Sequence, residues 1–254
     1  MTKFKKVLTS PITTVVAFVL AAVLLLSASI GGVRAALTYF SETYTSHVEM
    51  YDIGVTLREN GHDVSWRNYG SDADGTWDEN TGVLLAHMLD DGKKLQVNYP
   101  YVEELNVRNS GTINQYVRVT VYRYWVDKDD KKLQDFDPSF IDLRFVNLDS
   151  AWIEDVGART TERTVLYYNR LLNAGEETPM FADRLTIDGT VAKLFSLEEK
   201  KDGTVEAVYT YNGARFMLEA KVDAVQENNA EDAVLSAWGK HVIVDPAAGT
   251  LNLK

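Results

Sequence analysis

Strict two-residue alternation of apolar and polar side chains restricts this chain more than any other feature. In Tyr116–Val126 (YVRVTVYRYWV), Val117, Val119 and Val121 fall on one side, and Tyr116, Thr120, Tyr122 and Tyr124 on the other. In Arg215–Val225 (RFMLEAKVDAV), Phe216, Leu218, Ala220, Val222 and Ala224 make an apolar side opposite Glu219, Lys221 and Asp223. Successive side chains of an extended strand point to opposite faces, so a period of two predicts strands with one buried face. Shorter runs of the same kind predict strands at Val48–Arg58, Val102–Asn109, Phe140–Val146, Arg163–Asn169 and Thr204–Tyr211. Asn212-Gly213, between Thr204–Tyr211 and Arg215–Val225, predicts a hairpin. Asp202-Gly203 and Asp188-Gly189 predict further turns, and Lys128–Lys132 (KDDKK) a solvated loop.

One helix is predicted, Ala230–Trp238 (AEDAVLSAW). Asn229 suits its N-cap, Glu231 and Asp232 suit the positive end of its dipole, and Gly239 stops it. Ala233, Val234, Ala237 and Trp238 would form its buried stripe. Many short strands separated by close turns predict an all-β fold, a jelly-roll-like antiparallel β-sandwich with this short C-terminal helix.

The chain has 254 residues, of which 45% are hydrophobic and 25% charged, a globular rather than a disordered balance. Its net charge is −11, and the only charges in the first 35 residues are Lys3, Lys5, Lys6 and Arg34, so the remainder carries −15. Such a body is poorly suited to nucleic acid, which needs clustered Lys and Arg, and is repelled by anionic lipid. The absence of cysteine removes disulfides, thiol catalysis and thiolate metal sites.

Met1–Lys6 is short and basic, Val7–Val33 is uncharged, and Gly31-Gly32 precedes Val33-Arg34-Ala35-Ala36. This is the layout of a secretory signal, with cleavage expected after Ala35 or Ala36. A retained anchor is the alternative, since about 20 apolar residues suffice to span a bilayer. In both cases the basic end stays inside and the remainder lies outside the cytoplasm, secreted or on the cell surface. The expected organisation is a signal segment, 1–35, and a single β-sandwich domain, 36–254.

Motifs of catalysis are sparse. His47, His62, His87 and His241 include no H-E-x-x-H and no pair at i, i+4, so no zinc-ligand spacing is recognisable. No G-x-S-x-G elbow, Walker loop or G-x-G-x-x-G occurs. Glu103-Glu104 and Glu176-Glu177 are pairs that any acidic chain offers. Ser71–Asn80 (SDADGTWDEN) places Asp72, Asp74 and Asp78 around Gly75, an oxygen-rich loop of the kind that holds calcium or simply makes a polar turn.

Four groups of residues carry a resemblance. Gly31-Gly32 precedes Ala36-Leu37-Thr38-Tyr39-Phe40-Ser41-Glu42; Asn109-Ser110-Gly111 is followed by Gln115-Tyr116-Val117-Arg118-Val119; Leu172–Thr178 (LNAGEET) forms a third; and Glu219–Gln226 (EAKVDAVQ) with Ala237-Trp238-Gly239 closes the chain. Together they resemble the TasA and camelysin (CalY) group of exported proteins, whose signal peptides are served by a SipW-type signal peptidase. The chain departs from that pattern in the charged stretch Trp125–Thr161 and at Val33-Arg34-Ala35-Ala36. The resemblance implies a jelly-roll subunit of a Gram-positive cell-surface or biofilm-matrix fibre. It also implies self-association, in which an N-terminal donor strand, here Leu37, Thr38, Tyr39, Phe40 and Ser41, fills a groove of the next subunit. Camelysin-type proteins bring a rival expectation, a secreted zinc metallopeptidase. A membrane-anchored surface domain that binds a ligand is a third.

Overall fold

The computed structural model describes residues 53–69, 77–80, 82–85, 88, 95–199 and 205–254, with Val15 and Val19. The chain divides into two compact units, Met1–Glu49 and Met50–Lys254. Of the first, Val15 and Val19 are helical and exposed. Among the described residues no helix is long and apolar enough to cross a membrane.

The second unit is built from antiparallel strands: β1 Gly54–Glu59, β2 His62–Tyr69, β3 Trp77–Asn80, β4 Tyr101–Asn109, β5 Gln115–Val126, β6 Ile141–Phe145, β7 Trp152–Glu154, β8 Arg163–Tyr168, β9 Ala182–Ile187, β10 Phe195–Glu199, β11 Val205–Tyr209, β12 Arg215–Gln226, β13 Val242–Asp245 and β14 Thr250–Leu253. A six-stranded sheet has the order β3-β2-β1-β4-β9-β6, and a four-stranded sheet the order β12-β5-β8-β7. The strands β10–β11 and β13–β14 form separate two-stranded ribbons.

The two larger sheets share one core. Leu57, Leu105, Val107 and Leu185 of the six-stranded sheet pack with Val117, Val119, Val121, Leu166 and Leu218 of the four-stranded one. The alternating sides of β5 and β12 predicted from sequence therefore face this core. Trp152 is wholly buried, donates from Nε1 to the Pro179 carbonyl at 2.9 Å, and packs its ring against Phe181 and Tyr168. Burial of large side chains like these contributes about 2 kcal/mol each and holds the sheets together.

The outer side of the four-stranded sheet is not simply wet. Tyr116, Val165, Tyr167 and Val225 are covered by helix α1, Ala230–Trp238, and by the β13–β14 ribbon, through Ala230, Val234, Val242 and Leu251. The C-terminus thus adds a third layer. The helix has the predicted bounds and ends at Gly239, whose φ of 66° is the left-handed conformation glycine favours. Its N-terminus differs from expectation: Asn229 is itself left-handed (φ 51°) and its side chain makes no cap. Ala237 is exposed, and the buried positions are Ala230 and Val234.

The hairpin expected at Asn212-Gly213 does not form. β11 pairs with β10, whereas β12 pairs along its length with β5, from Arg215↔Val126 to Gln226↔Gln115. Asn212-Gly213 is a turn between separate sheets, because β5 offers β12 twelve paired positions and a shared core. Asp188-Gly189 opens a 3-10 turn, Gly189–Ala192, with the Asp188 carboxylate accepting from the Thr190 N–H at 2.7 Å.

Candidate functional site: a strand edge beside an apolar groove

The two sheets are unequal in width. β1 lies across the core from β12, and β2 and β3 carry the six-stranded sheet onward. One edge of β12 is taken by β5; the other has no strand partner among the described residues. Beside that edge runs an apolar groove of about 660 Å³, lined by Leu57, Val64, Leu85, Met88, Phe216 and Leu218. It continues into a smaller hollow of about 210 Å³ reaching Val55, Trp66 and Val222, with Leu57, Ser65, Ala220 and Lys221 common to both. An unpaired edge presents backbone N–H and C=O groups in register, the template that another strand pairs with.

Residues 82–85 and 88 form a flap at the groove. A Cβ on Gly82 would lie 1.8 Å from the Val64 carbonyl oxygen, so glycine is required for this close approach to β2. Leu85 has a φ of 65°, and its N–H donates to the Glu59 carboxylate at 2.6 Å.

Glu59 leads to an unusual pair. It is 7% exposed, while Glu103 on β4 is wholly buried. Glu59 is paired with Leu105, so Glu103, two residues along, sits diagonally beside it on the core face. The Glu103 oxygens meet no donor, and the side chain that acts on its charge is Glu59. Burial first, then the Glu59 charge, then a hydrogen bond that only a protonated Glu103 can supply, push its pKa up to about 9. Glu104, its neighbour in sequence, is exposed, with its N–H on the Asn60 side-chain oxygen at 2.9 Å.

Two motifs singled out in the sequence meet at one corner. Asn109 is wholly buried where the chain passes from β4 to β5. Its Nδ2 donates to the Ile113 carbonyl at 2.8 Å and the Leu172 carbonyl at 3.0 Å, and its Oδ1 accepts from the Gly111 N–H at 3.0 Å. Its backbone N–H reaches the Glu176 carbonyl, and the Thr178 hydroxyl accepts from the Val107 N–H at 3.0 Å. Gln115 Nε2 donates to the Gly54 carbonyl at 2.7 Å and so anchors the start of β1. Asn109-Ser110-Gly111 and Leu172–Thr178 therefore act together as the corner that joins the sheets. Outside it, Glu177 and Asp63 pair with Arg58, and Asp63 also with Arg108.

The predicted cleavage residues Ala35 and Ala36 and the strand residues Leu37, Thr38, Tyr39, Phe40 and Ser41 lie outside the described residues, as do Asp72, Asp74, His47 and His87. Asp78 falls in β3, His62 is exposed on β2, and His241 is exposed before β13. Among the described residues no three His, Cys, Asp or Glu side chains are grouped as metal ligands. No family model, curated protein or solved structure matches the chain.

Proposed function

We propose that this chain is an exported structural subunit of a cell-surface or matrix fibre, built on a single jelly-roll-like sandwich spanning 36–254. In this reading a SipW-type signal peptidase cuts at Ala35 or Ala36, and the N-terminal strand of one copy adds to the β12 edge of the next. The observation that supports it is the edge of β12 that takes no strand partner among the described residues, beside an apolar groove. The segment Phe216–Val222 bordering that groove spans roughly 23 Å at ~3.3 Å per residue, within reach of the extended Ala36–Thr45. Leu37, Tyr39 and Ser41 alternate with Thr38, Phe40 and Glu42, so one side can enter the groove while the main chain pairs with β12. A head-to-tail contact that does not close on itself propagates as a filament.

Electron microscopy of Ala36–Lys254 beside Val48–Lys254 tests this, with Ala220→Trp as a plug for the groove. Filaments from the longer chain alone, abolished by Ala220→Trp, are expected. Compact particles from all three, including a longer chain whose strand folds back into its own groove, would overturn assembly through this edge.

A further inference from the structure

We propose that the outer face of the four-stranded sheet holds a binding site for an acidic sugar, a hydroxyl-rich ring carrying a carboxylate or phosphate. The site borders the β12 groove, with which it shares Tyr122 and Lys221, and its argument does not rest on the fibre reading. A pocket of about 350 Å³ lies where the end of α1 meets that face. Such a volume is at the lower end of those that hold small organic ligands, and well above what a bare inorganic ion needs.

Its floor comes from strand alternation. β5 turns Arg118, Thr120 and Tyr122 outward, β8 turns out Arg163, Val165 and Tyr167, and β12 contributes Lys221. Gly239 ends the helix in its left-handed conformation, and Trp238 and Lys240 close the side. In a body of charge −15, four cations converge here, with Asp155 and Asp223 as the carboxylates beside them.

Two of those cations are held in place by these acids. Arg118 donates to Asp223 from Nε at 3.3 Å and Nη2 at 2.7 Å, and its guanidinium lies 5.1 Å from the centre of the Trp238 ring. Trp238 is in turn set edge-on against Tyr167 at 5.6 Å. Lys240 pairs with the buried Asp155 at 2.8 Å. Lys221 reaches Asp223 only at 3.2 Å, with two thirds of its side chain exposed. Arg163 has no carboxylate partner among the described residues: its Nε donates to the Ala158 carbonyl at 3.0 Å. A guanidinium anchored at Nε keeps its terminal N–H groups for a planar anion, which it grips bidentately. Thr120 and Tyr122 add hydroxyls with no hydrogen-bond partner among the described residues. Cations select a negative group, and free hydroxyls beside aromatic rings select a hydroxylated ring. Helix attachment accounts for Arg118 and Lys240, and leaves the surplus charge of Arg163 and Lys221 for a ligand.

The test is calorimetric titration of the purified full-length chain in mild detergent with glucuronate, glucose 6-phosphate, glucose and sulfate at low salt. Saturable binding of glucuronate or glucose 6-phosphate is expected, at least tenfold tighter than glucose or sulfate; the tighter of the two identifies the acidic group. Arg163→Gln should weaken it at least tenfold with the thermal midpoint unchanged, and Arg163→Lys should restore part of it. Absence of saturable binding, equal affinity for sulfate, or full binding by Arg163→Gln would overturn the site.

Discussion

Replacing Glu103 by Gln is expected to stabilise the fold, and increasingly so as pH rises. Glu103 is wholly buried, its oxygens meet no donor, and Glu59 is beside it, so its pKa moves from 4.5 to about 9. Between those values the folded state keeps a proton that the unfolded state has lost. Unfolding then releases protons, and stability falls with rising pH by about 1.4 kcal/mol per unit. The fall begins near pH 4.5 and ends near pH 9, where both states are ionised. From that shift the loss is on the order of 3 kcal/mol at pH 7 and 6 kcal/mol above pH 9, upper values because water entry relieves a buried charge. Gln keeps the shape and a donor for Glu59 but cannot ionise. Urea unfolding of both forms at pH 5, 7 and 9 reads the effect as the difference between them, which cancels the general repulsion of the acidic body. Near-equality at pH 5 and a widening advantage for Glu103→Gln are expected. A difference independent of pH, or a wild type more stable than the variant at pH 8, refutes the reasoning.

Asn109→Ala removes three side-chain bonds of the corner, taking a donor from the half-buried Ile113 carbonyl and leaving the buried Leu172 carbonyl with the Gln115 N–H alone; a loss of about 3 kcal/mol in urea unfolding is expected, and a loss under about 1 kcal/mol contradicts the corner's role. Gly82→Val cannot keep the approach to the Val64 carbonyl, so the flap should detach and limited proteolysis should cut within 82–95 faster than in the wild type; an unchanged digestion pattern counts against it. Subunits of charge −15 repel one another, so filaments of Ala36–Lys254 should form faster at 0.15 M salt, where repulsion is screened beyond ~8 Å, than at about 0.01 M, where it extends to ~30 Å; light scattering that falls with salt contradicts assembly by apolar strand insertion.

The sequence made β5 and β12 legible because each is long and keeps a strict two-residue alternation, although β5 is covered on both sides and only β12 is half-buried. It also located α1, whose stop at Gly239 is a local matter. The six-stranded sheet was harder. β2 (HDVSWRNY) lies at its wide end with mostly half-exposed side chains, so it shows no clean apolar side. β9 (ADRLTI) is central, yet its register with β4 and β6 is broken by irregularities that blur a period of two. Asn212-Gly213 misled because a turn signal is local, whereas the partner of β12 is chosen by a strand some hundred residues earlier. The same limit hid the sites. Arg118, Arg163, Lys221 and Lys240 are scattered along the chain and meet only through strand order. Glu103 looked like half of a Glu-Glu pair in an acidic chain; its true neighbour is Glu59, supplied by the register of β1 on β4.

That register also ties the acid pair to the groove. Leu57 and Glu59 project from the same side of β1: Leu57 lines the groove, and Glu59 holds the Leu85 N–H of the flap. A hydrogen bond from a main-chain N–H is stronger to a carboxylate than to a neutral carboxyl. A proton residing on Glu103 keeps a second buried charge away from the carboxylate that holds Leu85. Loss of that proton puts two negative charges side by side in the core, and the strain falls on the element nearest them with the fewest other attachments. Leu85, in a left-handed conformation that its side chain disfavours, is such an element. Opening of the flap should therefore precede global unfolding as pH approaches 9, and amide exchange at Leu85 should accelerate beyond the usual base-catalysed rise while Val119 and Val121 in the shared core do not. Equal acceleration at all three positions would place the effect of the acid pair on the whole fold rather than on the groove.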